Sequence, residues 1–433
     1  MINKIDNSIL RLALPSIIQN ITVPLLGLCD VAIMGHVGGA THLGAIAIGS
    51  MVFNVMYWLF GFLRMGTSGL TSQALGGRRL DESAALLWRS LLVGLAMGLI
   101  IIILQHPLAR FAMLLMHPTA DVLPLCLTYF FVAIWGAPAM LALYGLTGWF
   151  IGMQNTRTPM MIAIGQNVVN IAVSLVLVLV FDMGIKGVAM GTAIAQWVGF
   201  VAALVMLRCQ YGRMLRRRHL KPSDITSQLG RFFSLNLDIF LRTLCLVGVN
   251  IYFTSAGAAQ GAEVLAANTL LLQFYLLFSY VMDGFAFAGE ALSGRLYGAH
   301  NISGLHATVR RLFGWGLIMV AVFTLVYWVG GTTFLRLLTT DTTVVNVATA
   351  YLPWAVLIPA AGMAAFVWDG IYIGLTRARG MLVACLIASA VFFVLWLTLH
   401  TKMANHALWL ALLVYLALRG IVQTVLYRFN RRG

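Results

Sequence analysis

Charge is what this chain has least of. Asp, Glu, Lys and Arg make up 9% of its 433 residues, against about 25% in a soluble domain, so a water-facing globular surface is excluded. Acid is scarcer than base: 13 Asp and Glu stand against 28 Lys and Arg, a formal net charge of +15. Cysteine is scarce too. Cys29, Cys126, Cys209, Cys245 and Cys385 fall singly, with no CxxC pair and four of them in apolar runs. That spacing excludes a disulfide framework and a cysteine metal site. The nine histidines form no ligand set, and HExxH, a Walker loop, GxGxxG and a nucleophile dyad are all missing. No metal, no cofactor and no enzyme chemistry are expected. Nor is a cleavable signal peptide, because the first apolar stretch is too long and leads straight into the next.

What remains is apolar: 61% hydrophobic residues and a mean hydropathy of +0.92. Twelve runs have the length of about 20 residues that crosses a hydrocarbon core. They centre on 8–34, 43–68, 84–105, 122–150, 159–181, 187–208, 233–256, 264–290, 311–331, 346–373, 381–399 and 405–427. The fold class is therefore an all-α integral membrane protein. With the N-terminus inside, Lys and Arg concentrate on the cytoplasmic segments. Only Arg110, Lys186, Arg336 and Lys402 fall in outer loops, and Arg64, Arg242 and Arg419 within spans. This is the positive-inside pattern, with both termini cytoplasmic. Arg213, Arg216, Arg217, Arg218 and Lys221 cluster in the one long loop, which suits anionic lipid; a nucleic-acid partner is not expected.

That loop, 210–232, separates an N-terminal lobe, 1–209, from a C-terminal lobe, 233–433, and the two match at an offset of 222. Leu43 aligns with Leu265, Gly76 with Gly298, Gly148 with Gly370, Gly152 with Gly374 and Arg157 with Arg379. Each lobe holds six spans, an even number, so both insert with the same orientation. Parallel repeats of this kind belong to carriers with a midplane site between the halves. The ionisable residues do not obey the repeat: Asp30 stands opposite Ile251–Phe253, Asp283 opposite Gly61, Glu290 opposite Ser68 and Asp369 opposite Thr147.

Asp30 lies deep in the first span, where a charge costs roughly 2.5–3.5 kcal/mol or more, so a functional role is its default reading. Pro15 and Pro24 are expected to break the helix that carries it, and with Gly27 to let it bend. Asp283 and Glu290 are seven residues apart on the eighth span and share a helix face; Asp369 comes from the tenth. These three acids could attract cationic substrate or take a second proton, and Glu290 could instead pair with Arg295. Asp238 and Arg242, at i,i+4 on the seventh span, suggest an intrahelical ion pair. Asn20-Ile-Thr22 and Asn301-Ile-Ser303 fit a glycosylation sequon but fall in a span and on a cytoplasmic loop.

Several longer motifs resemble the multidrug and toxic compound extrusion (MATE) family, in its DinF-like bacterial branch. They are Arg11-Leu-Ala-Leu-Pro15 and Asn20-Ile-Thr-Val-Pro-Leu-Leu-Gly-Leu-Cys-Asp30, Arg64-Met-Gly-Thr-Ser-Gly-Leu-Thr71, and Asp283-Gly-Phe-Ala-Phe-Ala-Gly-Glu290. Asp369-Gly-Ile-Tyr-Ile-Gly374, Asn405-His-Ala-Leu-Trp-Leu-Ala-Leu412 and Leu416-Ala-Leu-Arg-Gly420 complete the set. The resemblance covers the whole chain. It implies two six-helix pseudo-symmetric lobes in a V and export of organic cations and amphipathic toxins, driven by H⁺ or Na⁺. It also implies a monomer in the bacterial inner membrane.

In similar proteins the first-span Asp joins polar groups of the fifth and sixth spans. Here these are Asp30, Asn170 on Asn167-Val-Val-Asn170, and Thr192. One turn after Asn170, where many relatives carry a second Asp, this chain has Ser174. Sodium needs several hard oxygens and gains from formal charge. A lone buried carboxylate suits a proton, whose uptake removes the cost of burying the charge. The residues thus favour H⁺ over Na⁺ coupling. A lipid-linked precursor flippase is the nearer alternative and a membrane-embedded lipid enzyme the more distant one. Against the flippase stand five intramembrane acids, Asp30, Asp238, Asp283, Glu290 and Asp369, with only three arginines.

Overall fold

The structure, a computed structural model, describes residues 4–37, 39–217, 224–225 and 229–429, with side chains at all of these except 23–29, 31, 34–37 and 40. A chain in hydrocarbon must satisfy its backbone N–H and C=O groups internally, which a helix does within its own segment. The described residues are accordingly helical, with no strand among them. In order they form α1 (Lys4–Val37), α2 (Gly39–Leu59), α3 (Phe62–Gly76), α4 (Leu80–Ile103) and α5 (Gln105–Met116). Next come α6 (Leu123–Ala133), α7 (Ala137–Gly152), α8 (Arg157–Leu179), α9 (Gly184–Arg216) and α10 (Leu229–Ala258). The last are α11 (Ala262–Gly298), α12 (Ile302–Leu338), α13 (Thr342–Gly374), α14 (Ala378–Met403) and α15 (Asn405–Phe429).

Among the described residues, 11 segments are long and apolar enough to cross a membrane. They coincide with the second to twelfth expected spans. Two of these are interrupted, between α2 and α3 and, by a 3₁₀ turn at Ile134–Gly136, between α6 and α7. The first expected span falls within α1, which is not broken: its helix runs through Pro15 and Pro24. The surroundings of Pro24 and Gly27 lie outside the described side chains. The linker is also shorter than 210–232, because α9 continues to Arg216 and α10 starts at Leu229. Tertiary contacts extend α9: Tyr211 packs its ring on Trp149 and Phe150, with centroids 4.9 and 6.0 Å away. Arg218 and Lys221 of the basic cluster lie outside the described residues.

The chain divides into two compact units, Ile18–Phe232 and Met1–Ile17 with Phe233–Gly433. The start of α1 therefore groups with the second unit, not with the first lobe. Gly284 on α11 is the reason: a Cβ there would collide with Ile17 and press on the Ala13 carbonyl. Asp6 adds polar ties, accepting from Trp315 Nε1 at 3.2 Å and pairing with Arg311 at 3.7 Å.

The duplication reaches the backbone. Left-handed residues recur 222 apart: Arg78 (φ 56) and His300 (φ 53), Gln154 (φ 64) and Thr376 (φ 53), Asp182 (φ 51) and Ala404 (φ 45). The helix ends around the first pair share one hydrogen-bond pattern. Arg78 N donates to Leu75 O and Arg79 N to Ala74 O, as His300 N does to Tyr297 O and Asn301 N to Leu296 O. These are Schellman closures, which satisfy the last free carbonyls of a helix. Asn301, of the second sequon, accepts from Gly304 N and so caps α12.

The close helix crossings repeat as well. A Cβ at Gly148 would collide with the Arg64 carbonyl, and one at Gly370 with the Ala286 carbonyl, 222 residues on in both helices. Small residues allow this approach where apolar burial cannot drive association. Gly370→Ala is expected to lower unfolding stability in detergent by about 1–3 kcal/mol, the usual cost of overpacking. An unchanged thermal midpoint would refute the backbone clash.

Candidate functional site

In the first unit the polar side chains converge from α1, α6, α8 and α9. Asn170 and Ser174 sit one turn apart on α8, both fully buried. Gly191 on α9 admits this face, since a Cβ there would strike the Ser174 hydroxyl. Asn170 Nδ2 donates to Thr192 Oγ1 at 3.1 Å, and Thr192 in turn donates to Val188 O at 3.2 Å. Ser174 Oγ donates to Asn170 Oδ1 at 3.5 Å. Asn167, on the same helix, donates to Thr22 O at 2.8 Å and so ties α8 to α1 two turns before Asp30.

Asp30 is 4% exposed, and its Oδ1 has no hydrogen-bond partner among the described residues. The structure thus joins Asn170, Ser174 and Thr192 to one another and not to Asp30. Tyr129 on α6 is a neighbour of this group. Its hydroxyl is in hydrogen-bonding reach of Ser50 and Thr192 and in coulombic reach of Asp30. Sequence reasoning missed this residue. Its only signal was a hydroxyl within Leu127-Thr-Tyr-Phe-Phe131, a pattern shared by many apolar aromatic runs.

The second unit departs from the expected open acidic site. Asp369 on α13, 7% exposed, accepts Arg242 of α10 and Arg419 of α15 on Oδ2, Arg419 at 2.6 Å. Gln423 Nε2 donates to Oδ1 at 2.7 Å. The acid is therefore compensated twice over and is not free to hold a cationic substrate. The expected Asp238–Arg242 pair is also corrected, because Arg242 turns to Asp369. An exposed i,i+4 pair is worth only about 0.2–0.5 kcal/mol, whereas a guanidinium this buried needs a close counter-charge. Asp283 accepts from Ser279 Oγ at 3.3 Å. Glu290, 1% exposed, is two turns further along α11, its backbone against Gly374. The three acids thus occupy three different settings.

Comparison with known proteins agrees with this architecture. The sequence model of the MatE family matches residues 15–176 and 239–397. DNA damage-inducible protein F of Escherichia coli is 36% identical over 432 residues, 99% of this chain and 93% of that protein. The probable multidrug resistance protein NorM of Idiomarina loihiensis is 23% identical, covering 81% of this chain and 77% of that one. The bent form of the Vibrio cholerae MATE transporter VcmN superposes with a TM-score of 0.86 at 19% identity, covering 99% and 97% of the two chains. This fold, its repeat at an offset of 222 and the family match together show that the chain belongs to the MATE family of multi-pass membrane transporters, which are not enzymes.

Proposed function

We propose that the protein is a secondary active antiporter that exports cationic and amphipathic organic compounds in exchange for H⁺ by alternating access, with Asp30 as the coupling carboxylate. The carrying observation is Asp30 itself, buried on α1 with Oδ1 unpartnered among the described residues. A carboxylate so placed can take up a proton without first losing a hydrogen bond at that oxygen. Protonation turns an acceptor-only group into a donor. The Tyr129 hydroxyl and the Asn170–Thr192 pair offer acceptors to that donor. Binding there would draw on α1, which Asn167 holds at Thr22, and the helix would bend near Pro24 and Gly27. The name of the Idiomarina relative supports a multidrug substrate range. We place the protein in the bacterial inner membrane as a monomer with both termini cytoplasmic.

Around Asp30 the set offers one formal negative charge, with Asn, Ser, Thr and Tyr oxygens. That favours a proton over Na⁺, which gains from a second carboxylate. The flippase alternative would call for free cationic groups for pyrophosphate, and Arg242 and Arg419 are both held by Asp369. The test is uptake of a fluorescent cationic dye by proteoliposomes under an imposed pH gradient and then an imposed Na⁺ gradient. Drive by the pH gradient alone is expected; drive by Na⁺ alone overturns the proton reading, and no movement under either overturns the dye-export reading. In the same assay Tyr129→Phe is expected to slow transport roughly five-fold, the worth of one hydrogen bond of about 1 kcal/mol. A wild-type rate would remove Tyr129 from the pathway.

A further inference from the structure

Where α13 gives way to α14, the second unit contains a cavity of about 470 Å³ lined by Tyr372, Arg377, Arg379, Gly380, Val383 and Leu426. Neither guanidinium has a carboxylate partner among the described residues. Arg377 lies over the Tyr297 ring, 5.8 Å from its centroid, which orients it without cancelling its charge. Tyr372 is fixed by its hydroxyl, which donates to Gln423 O at 2.7 Å.

The repeat shows what this space is in the other unit. The counterparts of Arg377 and Gly380, 222 residues earlier, are Asn155 and Thr158. There Asn155 Oδ1 accepts from Thr158 N at 3.1 Å in the first turn of α8, and Asn155 Nδ2 donates to Gln210 Oε1 at 2.8 Å. Tyr211 covers the counterpart of Tyr372, Phe150, and so the first unit closes this space with its own side chains. In the second unit an arginine replaces the asparagine acceptor and a glycine replaces the threonine. Arg377 makes no side-chain cap hydrogen bond at the start of α14, where Gly380 N donates to the Arg377 carbonyl at 3.0 Å. Gln210 and Tyr211 correspond to Arg432 and Gly433, which lie outside the described residues; neither residue type supplies an amide or a phenol.

Two uncompensated guanidiniums beside a helix start thus face a cavity with no acid of its own. Such a site calls for a phosphate-type oxyanion. One wall leads away as exposed apolar surface: Val383 (38%), Leu386 (51%) and Ile387 (43%) follow one face of α14, and Ile421 (56%) and Val425 (44%) lie on α15. We propose that this cavity holds the phosphate headgroup of an anionic membrane phospholipid, with an acyl chain lying along the exposed faces of α14 and α15. A free phosphate shares the headgroup chemistry but has no use for the apolar wall.

The test is native mass spectrometry of the full-length protein released from nanodiscs of mixed phosphatidylglycerol and phosphatidylcholine. Wild type is expected to retain one phosphatidylglycerol in preference to phosphatidylcholine. The double variant Arg377→Gln/Arg379→Gln is expected to bind it about 30-fold more weakly, at roughly 1 kcal/mol per arginine near an anionic lipid. Arg428→Gln, an exposed arginine outside the cavity, controls for net charge and is expected to change retention little. Inorganic phosphate at millimolar concentration is expected not to displace the lipid. Equal retention by the double variant and wild type, or an equal loss in Arg428→Gln, overturns the site; displacement by inorganic phosphate overturns the lipid assignment. A circular dichroism spectrum matching wild type shows that the double variant has folded.

Discussion

Asp30→Asn is expected to abolish proton-driven transport while leaving the protein folded. The amide matches the carboxyl in size and shape, so the packing of α1 is kept. It cannot exchange a proton at physiological pH, so nothing couples the gradient to the cycle. Each proton moved inward across ~100 mV contributes roughly 2.3 kcal/mol, and each pH unit adds about 1.4 kcal/mol. Together these sustain a concentration ratio of several hundred-fold for a neutral substrate. In the variant the steady-state ratio should collapse to about one, as in protein-free vesicles. The thermal midpoint should stay level or rise, because an uncharged group replaces one whose Oδ1 has no partner among the described residues. Dye binding in detergent, measured by fluorescence, should change by only a few-fold. That separation of drive from binding and stability is the point of the experiment. A variant that still concentrates dye in response to a pH gradient would remove Asp30 from the coupling role.

Much of the scaffold was legible in the sequence, and the reason is that bilayer physics leaves few choices. A run of about 20 apolar residues has to become a helix, so the spans from Thr41 onward emerge where hydropathy puts them. The offset of 222 was equally readable, because Gly148, Gly152, Gly370 and Gly374 mark backbone crossings that tolerate no Cβ. Side-chain partnership was not readable. Asp238 is four residues from Arg242 in the chain, yet Arg242 chooses Asp369, 127 residues away. Sequence spacing reports local opportunity and is silent on the tertiary partner that outbids it. Tyr129 was missed for a related reason: its value comes from the company of Asp30, Ser50 and Thr192, and nothing in its own segment records that. The extra turns of α9 likewise depend on Tyr211 meeting Trp149 and Phe150.

Asp369→Asn is expected to cause a large loss of stability, about 3–5 kcal/mol, the cost of removing one partner from a buried ion pair. The cluster holds two guanidiniums on one carboxylate, with Arg242, Asp369 and Arg419 exposed by only 7%, 7% and 3%. Neutralising Asp369 leaves two like charges facing each other in a medium that screens them poorly. None of the three has a charged counterpart in the other unit: positions 20, 147 and 197 are Asn20, Thr147 and Trp197. The network is thus an addition to the duplicated scaffold, one whose charges must balance locally. Arg242→Gln placed on top of Asp369→Asn should recover most of the lost stability, because it removes the repulsion and leaves a single cation. Unfolding in detergent, followed by tryptophan fluorescence for the single and double variants, measures both effects. A free substrate-binding acid would behave in the opposite way, with Asp369→Asn keeping its thermal midpoint and losing transport. That outcome would return Asp369 to the transport pathway, and the predicted loss with second-site recovery would make it the counter-ion that allows two arginines to lie within the membrane.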